Sequence, residues 1–150
     1  MFKSSYREWV RAISTALYVG YIPLAPGTFG SILGFALAWY AQPILLYLLI
    51  LFSILGISVC KAAEVFHGRK DPSRFVMDEV CGMMLSLLWL PHQFWVYGVA
   101  FIVFRLLDIL KPGPIRKLQN HPHPHSIMWD DLAAGFFTNI FVQILVRFLI

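Results

Sequence analysis

The sequence predicts an all-α integral membrane protein with about five transmembrane helices and an N-terminal helix lying in the membrane interface. Of its 150 residues, 59% are hydrophobic and only 13% charged, too little polar surface to cover a water-soluble globule of one domain's length. The apolar residues gather in long runs separated by prolines and polar clusters. The charged residues fall on one side when those runs are threaded back and forth across a bilayer. Residues 1–150 read as a single membrane-embedded domain.

Lys3, Arg7 and Arg11 precede Ala12, Ile13, Ala16 and Leu17, a pattern superficially like a signal peptide. The apolar part is short, is broken by Ser14 and Thr15, and has no small-residue cleavage site before Pro23, so it is expected to be retained. Trp9, Ile13, Ala16 and Leu17 stand at helical spacing beside Arg7 and Arg11, which predicts a helix in the interface. The apolar runs follow: Phe29 to Ala41, Ile44 to Cys60, Val80 to Leu90, Phe94 to Leu107 and Leu132 to Ile150. A spanning helix needs roughly 20 residues, so several must borrow flanking residues or tilt. Val80 to Leu90 spans only if its helix begins near Phe75 and takes Asp78 and Glu79 into its first turns. Gln42-Pro43 and Pro91-His92-Gln93 supply the breaks.

Five crossings place residues 1–28, 61–79 and 105–131 on one side. That side holds Lys3, Arg7, Arg11, Lys61, Arg69, Lys70, Arg74, Arg105, Lys111, Arg116 and Lys117, leaving only Arg147 at the far end. The positive-inside rule makes it cytoplasmic. All the acids share it: Glu8, Glu64, Asp71, Asp78, Glu79, Asp108, Asp130 and Asp131. The net charge of +4 is distributed between apolar runs instead of forming one basic stripe, which speaks for orientation and headgroup contact and against nucleic acid. Cys60 and Cys81 form no CxxC pattern and read as packing residues.

Two acidic pairs sit where helices enter the membrane, Asp78-Glu79 before VCGMML and Asp130-Asp131 before LAAGFF. Acids at a helix start suit the macrodipole, and one pair alone would need no other reason. Two pairs, with Asp108 at the end of a third helix, repel unless cations neutralise them. Mg²⁺ on oxygen ligands is one resolution, typical where the partner is a phosphate; ion pairs with Arg105, Lys111 or Arg74 are the other.

The segment PLAPGTFGSILG, residues 23–34, puts Gly27, Thr28 and Ser31 at the mouth of a helix, where backbone N–H groups and hydroxyls can bind an anion. No GK[ST] follows, so it is not a Walker A loop. Gly30, Gly34 and Ala38 also form a small-residue face for close packing. Arg105, Asp108 and Lys111, spaced by three, offer cation, anion and cation on one helical face before Pro112 and Pro114 stop the helix. They suit either a snorkelling rim or an Asp on metal flanked by phosphate-binding cations. In HPHPHS, residues 121–126, alternating prolines are expected to hold the chain extended and point the histidines to alternate sides, poor geometry for zinc. A cytoplasmic loop titrating near neutral pH is the expectation there.

Four blocks in order, LAPGTFGS at 24–31, Asp71-Pro72 with FVMDEVCG at 75–82, FRLLDILKPGPI at 104–115 and IMWDDLAAG at 127–135, resemble those of the phosphatidylglycerophosphatase A family. The likeness covers most of the chain from Gly20 to Gly135. Gly113 stands where the family often has a bulky residue, and the histidine-proline run replaces a usually Gly-containing approach to the last block. The resemblance implies a multi-pass, Mg²⁺-dependent enzyme of the bacterial inner membrane with its site on the cytoplasmic face. Its lipid partner would be phosphatidylglycerophosphate, cleaved to phosphatidylglycerol and inorganic phosphate. Carried over by position, Asp78, Glu79, Asp108, Asp130 and Asp131 become catalytic and metal-holding residues. Asp71 stands behind them; Lys111 is the family's basic residue, and the loop residues are Pro26, Gly27, Thr28 and Ser31, with Arg105 beside them. Water can attack phosphorus directly, or a carboxylate can act as nucleophile. Rival readings are another lipid phosphatase, such as one for phosphatidic acid, or a small ion carrier. The chain has neither the DGxxAR of CDP-alcohol transferases nor the SGH block of histidine-dependent lipid phosphatases. A carrier, in turn, would want acids at the bilayer midplane and not at helix mouths.

Overall fold

A computed structural model describes residues 2–149; the Lys3 side chain and Ile150, both used above, lie outside the described residues. Seven α-helices follow one another, α1 (Phe2–Ser14), α2 (Pro26–Tyr40), α3 (Leu45–His67), α4 (Met77–Leu87), α5 (Phe94–Leu110), α6 (Gly113–Gln119) and α7 (Ser126–Leu149), with no strand among the described residues.

The hub is α4, which packs against α2, α3, α5 and α7. Val80, Cys81, Met83, Met84 and Leu87 point to all sides of it and are completely buried, as a helix apolar all round must be. Cys60 and Cys81 are both buried packing residues, as expected. The outer helices show the opposite pattern, with Ile50 and Ile54 of α3, Ile102 and Ile109 of α5, and Phe136 and Ile144 of α7 exposed. So much outward apolar surface suits lipid and not water. Two helical stretches, Gln42–His67 and Ser126–Leu149, are by length and composition able to cross a membrane.

Small residues set the spacing at the hub. A Cβ on Gly82 would lie 2.7 Å from both the Asp131 carbonyl and the Phe104 ring, and one on Gly135 would strike the Gly82 carbonyl. α4 and α7 therefore cross backbone to backbone. On the other side, Gly30, Gly34 and Ala38 are buried along α2, the small-residue face read from the sequence. The helix α4 begins at Met77, later than Phe75, and does take Asp78 and Glu79 into its first turn. It stops at Leu87, short of the apolar run's end. There Asn139 Nδ2 donates to the carbonyls of Ser86 at 3.1 Å and Leu88 at 2.8 Å, satisfying groups that a helix end leaves free.

Three local expectations are corrected. The N-terminal helix ends at Ser14, so Ala16 and Leu17 lie outside it, at positive φ. The Ser14 and Thr15 hydroxyls donate to the Arg11 carbonyl at 3.3 and 2.8 Å, and Thr15 Oγ1 then accepts the Tyr18 N–H, local bonds that compete with helix continuation. Pro112 and Pro114 do not merely stop a helix. Pro114 sits in the first turn of α6, where its missing N–H costs nothing. The histidine run is not extended. It folds in turns, with Ser126 N–H donating to the His123 carbonyl at 3.0 Å, and His121, His123 and His125 all gather around the Trp129 ring.

Candidate active site

Four helix ends converge at one pole of the bundle: the starts of α2, α4 and α7 and the end of α5. Asp78 and Glu79 occupy the first turn of α4, a position that the N-terminal dipole favours for acids, while Asp130 and Asp131 lie one turn into α7, which begins at Ser126. The backbone crossing explains how they meet. Gly82 lies one turn below Asp78, and Gly135 one turn below Asp131, so the closest approach of the two helices sits directly under both acids. A glycine four residues after an acid, in two apolar helices, is a signal the sequence carries and the reading above left unused.

Asp78, Glu79 and Asp131 each offer a carboxylate oxygen within 4.8 Å of the others. The Asp78 and Asp131 residues are 6% and 2% exposed. Asp78 and Glu79 enter no ion pair among the described residues. Glu79 Oε2 is buried with no hydrogen-bond partner among the described residues, and so is Asp130 Oδ1. Such an all-oxygen, anionic, partly orphaned donor set has the chemistry of a hard divalent cation site, and Mg²⁺ fits it.

The other acids are met by fixed cations. Arg105 Nη1 donates to Asp108 Oδ2 and, at 3.3 Å, to Ser31 Oγ, which itself donates to the Gly27 carbonyl at 3.0 Å. Lys111 Nζ lies 2.5 Å from Asp130 Oδ2, 3.5 Å from Asp108 Oδ1 and 3.6 Å from Asp131 Oδ1. Burial pulls the Lys111 ammonium down, but Asp131, Asp130 and Asp108 outweigh it and hold the group above its ordinary value, so it stays charged. Lys111 caps α5 in a left-handed conformation, φ 45°, a place more often taken by glycine.

Of the residues singled out in the sequence, the structure thus brings together Asp78, Glu79, Asp108, Asp130, Asp131, Arg105, Lys111 and Ser31. Gly27 joins them, because a Cβ there would collide with the Glu79 carboxylate. Thr28 is half-buried in the first turn of α2, and its hydroxyl makes no hydrogen bond among the described residues. Asp71 stands in an exposed loop at positive φ, accepting a 3.3 Å bond from Gln119 of α6. Arg74 pairs with no acid among the described residues and lies over the Tyr21 ring at 4.7 Å.

The family described as Phosphatidylglycerophosphatase A matches residues 12–146. The chain belongs to that family. A Phosphatidylglycerophosphatase A of Escherichia coli strain K12 is 37% identical over 123 residues, covering 77% of this chain and 71% of its own. One of Haemophilus influenzae strain Rd is 35% identical over 150 residues, covering 93% and 90%. A Bacteroides thetaiotaomicron protein, provisionally named a phosphatidylinositol-3-phosphatase, is 34% identical over 145 residues, covering 88% and 90%. No solved structure matches the chain. All the site residues above fall inside the family match, and the family's lipid chemistry agrees with the apolar exterior in making this a membrane-associated phosphatase.

Proposed function

We infer that the chain hydrolyses the terminal phosphomonoester of phosphatidylglycerophosphate to phosphatidylglycerol and inorganic phosphate, as a single domain on the cytoplasmic face of a bacterial inner membrane, with Mg²⁺ as cofactor. One observation carries the reading: in a member of this family, Asp78, Glu79 and Asp131 from two helices converge to within 4.8 Å beside Lys111 and Arg105. Five passes, by α2, α3, α4, α5 and α7, put the cations and acids on one side, α4 being a buried pass of 11 residues, about 16 Å, that reaches only part of the bilayer's depth. In support, the end of α2 lies against the connection between α4 and α5, with His92 Nε2 2.9 Å from the Trp39 carbonyl.

Asp78, Glu79 and Asp131 would hold Mg²⁺, with Asp108 and Asp130 completing the acidic set. Bound there, the ion supplies charge neutralisation and Lewis acidity toward the phosphate and the attacking water. Arg105 and Lys111 take phosphate oxygens, exchanging part of their bonding to Asp108 and Asp130, and the Gly27–Thr28–Ser31 turn adds donors. A carboxylate of the set accepts the proton of the water that attacks phosphorus. Asp71 steadies α6 from outside through Gln119.

Purified protein in vesicles should release phosphate with Mg²⁺, stop in chelator, and stop after Asp78→Asn. Undiminished release in chelator, or full activity in the variant, overturns the reading. Cysteines placed at Gln42 and Gln93 should label only from the outer side; labelling from the cytoplasm breaks the five-crossing topology. The name of the Bacteroides relative favours a second reading, in which the monoester belongs to a phosphoinositide. Turnover of phosphatidylinositol 3-phosphate in place of phosphatidylglycerophosphate would establish it.

A further inference from the structure

An apolar groove of about 440 Å³ opens on the outer surface between α5 and α7, beneath the start of α6. Its walls are two stripes with polar heads. On α5, Val103 and Leu107 stand at i and i+4, and Lys111 caps the helix just beyond them. On α7, Asp130, Phe137 and Phe141 recur at i, i+7 and i+11, which places Phe141 about 16 Å along the helix from Asp130. The two heads meet, because Lys111 Nζ and Asp130 Oδ2 are 2.5 Å apart. Neither Lys111 nor Asp130 lines the groove, but Pro112, the residue after Lys111, does, so the groove opens beside the ion pair of the candidate active site and runs from there along α5 and α7. Phe137 and Phe141 are 44% and 51% exposed within it. Arg116 and Lys117, in the last turn of α6, add positive charge at the headgroup end.

We propose that this groove receives an acyl chain of the lipid whose phosphate is cleaved, so that substrate reaches the site sideways between α5 and α7; the proposal rests on the phosphatase reading above. An amphiphile with an anionic head and an apolar tail matches a cationic head continuous with an apolar groove, part for part. Keeping the tail in the groove and the phosphate at Lys111 spares the lipid from leaving the bilayer, which each buried methylene would oppose. A second apolar groove, of about 330 Å³, lies between α2 and α3 and is lined along one side by Trp9 and Ile13 of α1; it is the rival site.

The test uses phosphatidylglycerophosphate carrying a photoactivatable diazirine midway along one acyl chain, with the intact protein in vesicles, followed by peptide mapping. Labelling should concentrate on residues 103–107 and 137–141, and should fall about tenfold when the same chain is carried on phosphatidylcholine. Labelling at residues 9–17 or 33–37, labelling spread over the whole apolar surface, or equal labelling by both lipids overturns the proposal. Val103→Trp, which fills the groove, should raise KM for the long-chain substrate about tenfold and leave a short-chain, water-soluble version of the same headgroup unaffected. Equal loss on both substrates counts against the groove. Failure of the wild-type protein to release phosphate from either substrate would instead refute the phosphatase reading itself, so the two failures are distinct.

Discussion

Asp108 and Asp130 face Arg105 and Lys111, whereas Asp78, Glu79 and Asp131 face one another, although all five stand at helix ends at the same pole of the bundle. The adjacent pair in α7 shows how the division arises. Neighbouring residues on a helix point about 100° apart. Asp131 heads the buried stripe that continues through Gly135 and Val142 against α4, while Asp130 heads the stripe that turns toward Lys111 and the groove. The protein's own cations thus neutralise one half of the site, while in the other only Asp131 meets a cation, Lys111 at 3.6 Å. The two halves share Lys111, which reaches both aspartates of α7.

Substitution should separate the two halves, with the largest effect at Asp131, which Lys111 reaches only at 3.6 Å. Asp131→Asn should lower kcat/KM for phosphate release by about a hundredfold or more, a loss of the size seen when a charge-stabilising group is removed from a reacting centre. Gly135→Ala should come next, because its methyl meets the Gly82 carbonyl and pushes α4 from α7; a loss of about 2–3 kcal/mol in unfolding free energy, with activity falling alongside, is expected in denaturant titrations. Smaller effects should differ in sign between the halves when measured in chelator. Asp130→Asn removes the partner of Lys111 and should destabilise by about 1–3 kcal/mol, while Asp78→Asn relieves repulsion and should stabilise by about 1 kcal/mol. Thermal melts of the two variants without metal would check this. The smallest change should come from His123→Ala, which alters an exposed loop and should shift stability by less than about 0.5 kcal/mol.

That Asp78, Glu79, Asp108, Asp130 and Asp131 lie together at one pole was legible in the sequence, because the alternation of apolar runs brings the ends that carry them to the same side. How they divide was not, since that depends on how α4 and α7 are rotated about their axes, which the Gly82–Gly135 contact decides. The helices α2, α3, α5 and α7 were visible as apolar runs. The end of α4 was hidden because Asn139, fifty residues away in sequence terms and on another helix, supplies the partners for its last carbonyls. The histidine run misled for a related reason. Its prolines predict an extended segment locally, but stacking of His123 on Trp129 and the turn bond from Ser126 outweigh that preference.

On the proposed reading, Asp78, Glu79 and Asp131 hold a cation while Asp130 serves chiefly to hold Lys111. Calorimetric titration of Mg²⁺ into the purified protein, without substrate, addresses it directly. Binding should be saturable for the wild-type chain, abolished in Asp131→Asn and retained in Asp130→Asn. Unchanged binding in Asp131→Asn, or none to the wild-type protein, would contradict it.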